Sequence, residues 1–433
     1  MNKEQKQIKY YLENGVQVIL NPMPHMRSAA AGVFIRSGSI YETPDNNGIA
    51  HFIEHMLFKG TKNRSLQQIA EESDRLGGNL NAYTCEEYTC IYMKVLEEDV
   101  FQAVDLLTDI ACNPVFEESA LENEKNVVLE EIINAEDNPE DAVQEMLMRN
   151  MFRSHPVGQP VLGSAENVLH FCSEKVREFY KKQYCAENVL ISIAGKFEPE
   201  KIVQAIEASA LKYMPRGRRA YLETCADTAG GVFYRFRDVE QMQLAVGYPC
   251  VSRYDPRLFS FTVLAQILSG DTSSRLFRRL REENGLVYNV DATAVEYDDT
   301  GAFIISTGFS PENYERVTEI IRQEAEDLLH NGASQEEVER SKRNICVSLQ
   351  LEQEGTSSVM SIAGKRGLFG IDFTTDEVVV KIQNVSRNEI FAAAQFAFGN
   401  RDKEAIALVG DGKAVKIRGI LNEMADVKIL DPK

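Results

Sequence analysis

Asn188-Val-Leu-Ile-Ser-Ile-Ala-Gly195 is an apolar run closed by glycine, and Glu404-Ala-Ile-Ala-Leu-Val-Gly410 repeats its pattern 215 residues later, counted from glycine to glycine. Short apolar runs that end at a turn residue read as buried strands. A second pair has helical spacing: Leu121-Glu122-x-x-Lys125-x-x-Val128 returns as Val338-Glu339-x-x-Lys342-x-x-Ile345, at an offset of 217. Two unrelated segments with nearly the same offset point to an internal repeat. Between the copies, Pro215 to Gly231 shifts to a polar composition in which Pro-Arg-Gly-Arg-Arg leads towards Gly230-Gly231, the mark of a linker. The sequence therefore divides into a domain over 1–214, a linker over 215–230 and a similar domain over 231–433.

Within each half, strands mix with helices. Gly15 to Leu20 and Ala30 to Arg36 read as strands, and Ile8 to Leu12 is able to pair with the first. Helical patterns follow near 46–59, 65–76, 98–112 and 117–137, and Asn79 to Val95, rich in Tyr, Thr, Cys and Val, reads as extended. This order predicts an α+β fold: two similar domains in tandem, each an antiparallel or mixed sheet with helices packed on one face. No Gly-rich loop follows a strand, so a nucleotide cofactor has no support.

The 433 residues carry 47 basic and 66 acidic side chains, a net charge of −19. That balance makes nucleic acid and anionic membranes poor partners, and basic ligands better matched. Met1 to Gly15 is polar and lacks the apolar core of a secretory signal, so a cytoplasmic location is expected. Apolar stretches such as Ala29 to Ile35 fall far short of the ~20 residues that a spanning helix needs. The eight cysteines (85, 90, 112, 172, 185, 225, 250 and 346) form no Cys-x-x-Cys pair and read as free thiols.

The chemistry concentrates in Asn46-Asn-Gly-Ile-Ala-His51-Phe-Ile-Glu54-His55-Met-Leu-Phe-Lys-Gly60, a short helical pattern with an Asn pair able to cap its start and a glycine to end it. Ile49, Phe52, Ile53 and Met56 form its core face, and His51, Glu54 and His55 gather opposite. Histidines four apart on a helix can reach one metal ion, and a carboxylate beside them can hold and deprotonate a water. With six histidines in the chain, a chance His-x-x-Glu-His is expected about 0.01 times, so a merely solvated polar face is the weaker reading. His25, His155, His170 and His330 stand outside any such pattern and read as structural.

A catalytic site of this kind needs a third protein ligand. The helix from Glu117 to Asp137 offers several carboxylates. Asn123, Asn126, Glu130, Asn134 and Asp137 form a polar stripe that marks Glu130 as solvent-facing. Glu131 has Val127, Val128 and Ala135 as helical neighbours, which turns it inward, and Glu124 lies two turns earlier on roughly the same side. A metal role fits Glu131 and a supporting role fits Glu124. Periodicity alone equally allows an ordinary half-exposed glutamate at either position.

Together, His51-x-x-Glu54-His55 and Glu124-x6-Glu131 resemble the inverted zinc motif of the M16 metallopeptidases, the insulinase, pitrilysin and mitochondrial processing peptidase family. Gly77-Gly78-x-x-Asn81-Ala82-Tyr83-Thr84 and Arg281-Glu-Glu-Asn-Gly-Leu-Val-Tyr288 extend the resemblance along nearly the whole chain. It implies one zinc ion per chain held by His51, His55 and Glu131, Glu54 as general base and Glu124 as a supporting carboxylate. Asn81, Ala82, Tyr83 and Thr84 then correspond to the strand that receives substrate backbone, and Arg281 and Tyr288 to the pair that contacts bound peptide. The implied activity is that of a metalloendopeptidase cleaving peptides or short unfolded segments inside a closed chamber, with a leader- or precursor-processing role among its uses.

In the second half, Ser341 and Ser348 stand where the 217 offset places Glu124 and Glu131, so the zinc site is not repeated. Because one chain carries both residue sets, the resemblance implies a homodimer in which each zinc site is completed by the partner subunit's Arg281 and the partner subunit's Tyr288. A heterodimer with an M16-like partner is the other assembly. The rival reading, a non-catalytic scaffold subunit, is disfavoured by the complete set His51, Glu54, His55 and Glu131.

Overall fold

The computed structural model describes residues 7–78, 80–221, 227–411 and 427–429. Residue 79 of the extended stretch, and residues 222–226 of the linker with Cys225 among them, lie outside the described residues. The chain forms two compact units, each built on a six-stranded mixed sheet.

In the first unit the strands are β1 (Ile8–Tyr11), β2 (Gln17–Pro22), β3 (Ser28–Ile35), β4 (Asn81–Thr84), β5 (Thr89–Leu96) and β6 (Val189–Gly195), in the order β1-β2-β6-β3-β5-β4. β2 and β6 run parallel, and the other neighbours are antiparallel. Strand alternation sorts the side chains onto two faces. Val18, Leu20, Ala31, Val33, Ile91, Met93, Ile191 and Ile193 join the main core. There they meet apolar residues of the helices Ile49–Leu57, Val100–Cys112, Glu118–Asp137 and Ser173–Gln183. The intervening Ile19, Ala30, Phe34, Cys90, Leu190 and Ala194 form a second layer with Met360, Ala363, Leu368 and Phe369 of the helix Thr356–Phe369. Gly32 lets that helix come close: a Cβ there would lie 2.5 Å from Met360 Sδ.

The second unit repeats the plan with β7 (Gly231–Phe236), β8 (Met242–Cys250), β9 (Val287–Glu296), β10 (Gly301–Phe309), β11 (Ala405–Gly410) and β12 (Val427–Ile429), ordered β12-β7-β11-β8-β10-β9. β7 and β11 run parallel, as β2 and β6 do. One face packs on the helices Leu258–Ser269, Tyr314–His330 and Arg387–Phe398. Ala142, Val143, Met146, Leu147 and Met151 of the helix Pro139–Met151 cover Phe233, Ala245, Ala302, Ala405 and Ala407 on the other. Gly247 of β8, 215 residues after Gly32, sits under Met151 and Leu147.

The two similar α+β domains expected from the repeat are present, with two differences. The main helical layer lies on one face of each sheet, but the second face carries a helix as well. The compact units also depart from the linear boundaries at 214 and 231: Ile133–Gly158 belongs to the second unit and Gln350–Phe373 to the first. The physical reason is that both faces of each sheet are apolar, and the local helices cover only one. A helix drawn from the other half of the sequence closes the remaining face. No helix of the described residues is long and apolar enough to cross a membrane, and the seven described cysteines are free.

Candidate metal centre

The helix Ile49–Leu57 buries Ile49, Phe52, Ile53 and Met56 in the core, which turns His51, Glu54 and His55 to the opposite side. Its N-terminus is not capped by the Asn pair. Glu42 reaches it instead: Oε2 accepts from the Gly48 backbone N–H at 2.7 Å and from Asn47 Nδ2 at 2.8 Å, and Oε1 accepts from the Ala50 backbone N–H at 2.7 Å. Burial pushes the Glu42 carboxyl up to about 7, and these three donors oppose the shift. Asn46 is engaged in the turn before, accepting from Thr43 N–H at 2.6 Å. The helix ends at Leu57, ahead of Gly60, whose φ of 125° carries the chain away.

Across from it runs the helix Glu118–Asp137. Glu131 Oε2 lies 3.2 Å from His55 Nε2 and 3.6 Å from His51 Nε2. A tetrahedral ion with bonds of ~2.05 Å has ligand atoms about 3.4 Å apart, so these spacings suit one small cation. The three residues are the described cluster whose ligand atoms all fall within 4.8 Å of one another. His51 is buried, its Nδ1 has no hydrogen-bond partner among the described residues, and Nε2 is the ring atom turned to the carboxylate. His55 is held from behind: Nδ1 donates to Glu124 Oε1 at 2.9 Å, and Lys59 Nζ donates to Glu124 Oε2 at 2.6 Å. In the neutral ring that bond fixes the tautomer whose Nε2 lone pair can bind a metal.

Glu124 is the more deeply buried of the two helix glutamates, and Glu131 is half-exposed, while Glu130 faces solvent as the polar stripe predicts. Val127, one of the neighbours that argued for an inward Glu131, is itself 50% exposed. What brings Glu131 to the site is the opposing histidine pair.

The electrostatics show a site short of positive charge. Glu54, Glu124 and Glu131 converge on the histidines, with Lys59 as the adjoining cation. Burial and the neighbouring His55 lower the His51 pKa to about 4 despite Glu131. Burial also pulls on His55, but hydrogen bonds to Glu124 and Glu131 outweigh it and raise that pKa to about 9. Glu124 resists its own burial through His55 and Lys59 and stays below the usual carboxylate range. Glu131 is lowered chiefly by its bond to His55. Two imidazole nitrogens and a carboxylate, backed by a second carboxylate, form a donor set that fits a divalent cation of the zinc type.

Glu54 is raised by burial, and Thr84 opposes the shift through a hydrogen bond from Oγ1 to Glu54 Oε2 of 2.5 Å. Asn81 to Thr84 form β4, the edge strand beside the helix. Ala82 packs towards the main core, and Tyr83 lies on the other face, edge-on to Tyr88 and Tyr92. Arg281 and Tyr288 come together in the second unit. Arg281 lies on a π-helical turn, Phe277–Glu282, with its guanidinium 4.8 Å from the Phe277 ring centre and 4.9 Å from that of Tyr288. Tyr288 is 80% exposed. The sequence reading missed Phe277, Lys59 and Glu42. Phe277 precedes Arg281 by four residues, a spacing that could have flagged it.

Known proteins match most of this chain. The family model "Insulinase (Peptidase family M16)" matches residues 17–165, and "Peptidase M16 inactive domain" matches residues 171–345. The uncharacterized zinc protease YmxG of Bacillus subtilis is 36% identical over 402 residues, covering 93% of this chain and 97% of that protein. An uncharacterized zinc protease of Rickettsia bellii is 35% identical, covering 91% and 96%. Among solved structures, a protease from Helicobacter pylori aligns with a TM-score of 0.87 at 19% identity, covering 94% of this chain and 99% of that one. A peptidase M16 inactive domain from Pseudomonas fluorescens aligns at 0.86 and 19%, covering 94% and 98%. At that identity the structural likeness speaks for the fold alone.

Proposed function

This chain belongs to the insulinase family of peptidases, M16, and on that premise we propose that it is a zinc-dependent endopeptidase. The observation that carries the reading is the convergence of His51, His55 and Glu131 from two helices, with Glu54 beside them. His51, His55 and Glu131 would hold one zinc ion per chain. When bound, the ion supplies Lewis acidity, polarising a peptide carbonyl and making a water easier to deprotonate. Glu54 takes the proton from the attacking water and returns it to the leaving amine, so no covalent intermediate is needed. Glu124, fixed by Lys59, holds the His55 ring.

β4 ends the first sheet, and among the described residues no second strand pairs with it, so its outer edge would take an added strand of substrate backbone. Such binding reads backbone more than side chains, and the net charge of −19 favours basic peptides. Arg281, stacked between Phe277 and Tyr288, is pre-ordered to contact bound peptide or a developing oxyanion. Because the chain carries both residue sets, a homodimer enclosing peptides or precursor segments is the proposed working form.

Metal analysis of purified protein together with cleavage of a fluorogenic peptide tests this. Glu54→Gln is expected to keep its zinc and lose about 100- to 10,000-fold in kcat. A protein that retains no tightly held zinc, or a Glu54→Gln variant as active as the parent, would refute the assignment.

A further inference from the structure

Thr84 stands at the end of a strand expected to bind substrate through its backbone, yet its side chain is engaged elsewhere. Oγ1 lies 2.5 Å from Glu54 Oε2 and 3.2 Å from Thr89 Oγ1, its cross-strand neighbour in the β4–β5 register. Thr89 is fully buried, and its hydroxyl donates to the Ser37 carbonyl at 2.8 Å. A carbonyl oxygen can only accept, so the single Thr89 proton is committed to Ser37 and Thr89 presents a lone pair to Thr84. The single Thr84 proton then has two destinations. The carboxylate oxygen is nearer and charged, and charge-assisted bonds are the shorter and stronger kind. The Thr84 hydroxyl is thereby fixed as a donor to Oε2, backed by a buried residue whose own proton is committed to Ser37.

Among the described residues no other hydrogen bond to the Glu54 side chain is present, so Thr84 alone sets which oxygen is occupied. Oε1 is left to act. A glutamate side chain has three rotatable bonds whose freedom must be given up to hold it still, so one short bond at its tip does much of the positioning.

We infer that Thr84 is a positioning residue for the general base: its hydroxyl pins Oε2 of Glu54 and directs Oε1 to the reacting water, a task distinct from binding substrate backbone. The inference rests on the peptidase reading and on Glu54 as its base.

The test compares Thr84→Val, Thr84→Ser and Glu54→Gln by steady-state cleavage of a fluorogenic peptide, zinc content and circular dichroism. Valine keeps the branched shape and suits a strand, so the fold should stand. Expected for Thr84→Val is a fall in kcat of about 10- to 100-fold with KM within about twofold of the parent and full zinc occupancy, and for Thr84→Ser a recovery to near the parent rate. A Thr84→Val enzyme with unchanged kcat, or one whose loss lies wholly in KM, would overturn the inference, as would failure of serine to restore the rate. If Thr84→Val does not fold, Thr84→Ser against Thr84→Ala decides on the same criteria. An inactive Glu54→Gln beside a fully active Thr84→Val would sink this inference alone. An active Glu54→Gln would sink the peptidase reading and this inference with it.

Discussion

The helix Glu118–Asp137 of the first half and the helix Gln335–Leu351 of the second are one structural part put to two uses. Lys125 Nζ donates to Glu122 at 2.7 Å and to the Leu169 carbonyl at 3.1 Å. Its counterpart Lys342 donates to Glu339 at 3.3 Å and to the Val385 carbonyl at 3.1 Å. Leu121 and Val338 are both buried. The contacts that dock the helix thus recur, offset by 216 or 217 residues, while the carboxylates do not: Glu124 and Glu131 give way to Ser341 and Ser348. Ser341 is as buried as Glu124, but His330 is the one histidine in the second half of the sequence, so no histidine pair answers it there. An ionised carboxylate there would be buried and would need a cation beside it, as Glu124 has in Lys59. Docking belongs to the fold, and the glutamates belong to the chemistry.

Giving the first helix the residue of the second is the strongest way to sharpen that division. Glu131→Ser should abolish stoichiometric zinc retention and peptidase activity while leaving the circular dichroism spectrum intact; zinc kept at parity would break the contrast. Next in size is a change in the second unit, where Arg275 is buried among Glu337 at 2.7 Å, Asp327 at 2.7 Å and Glu324 at 3.4 Å. Arg275→Met takes the cation from Glu337 and Asp327, while Glu324 keeps Arg279 at 2.7 Å, and should cost about 3 kcal/mol in denaturant unfolding, with zinc binding by the folded protein unchanged. Burial would raise the Glu337 pKa, but hydrogen bonds from Arg275 and Ser334 hold it at about 2. Its folded value lies below the unfolded ~4.3, so its contribution is complete above that pH and fades as the pH falls towards 2. Stability measured across this window should fall less steeply in Arg275→Met than in the parent.

Glu124→Ser, again the residue of the second half, should weaken zinc affinity about 10- to 100-fold without removing the site, as measured by competition with a chromogenic chelator. The smallest effect concerns the sheet glycines. A Cβ at Gly32 meets Met360 Sδ at 2.5 Å, and one at Gly247 meets Met151 Sδ at 3.0 Å. Gly32→Ala is expected to destabilise by about 1–3 kcal/mol and Gly247→Ala by less, since overpacking rises with the intrusion. Equal midpoints for the two variants would show that the layers tolerate crowding alike.

Much of this plan was legible in the sequence because repeats and periodicity are local signals. The strands ending at Gly195 and Gly410, the amphipathic Ile49–Leu57 helix and the exposed Glu130 all follow from spacing. The exchanged helices did not, because an apolar stripe on Pro139–Met151 or Thr356–Phe369 says that a face is covered but not which sheet it covers. Glu42 escaped notice because it caps from six residues before Gly48, across a turn, where capping patterns do not look. Thr84 was visible as a strand residue, but its tie to Glu54 needs the strand laid beside the helix.

The reciprocal exchange of helices also bears on synthesis. The first sheet has its last strand once residue 195 is made, yet the helix that shields its second face ends at Phe369. At about 5–20 residues per second, a ribosome needs roughly ten to tens of seconds to supply it. For that interval the nascent chain displays a greasy, uncovered surface, and severing the gene at the central linker would make the condition permanent in both fragments.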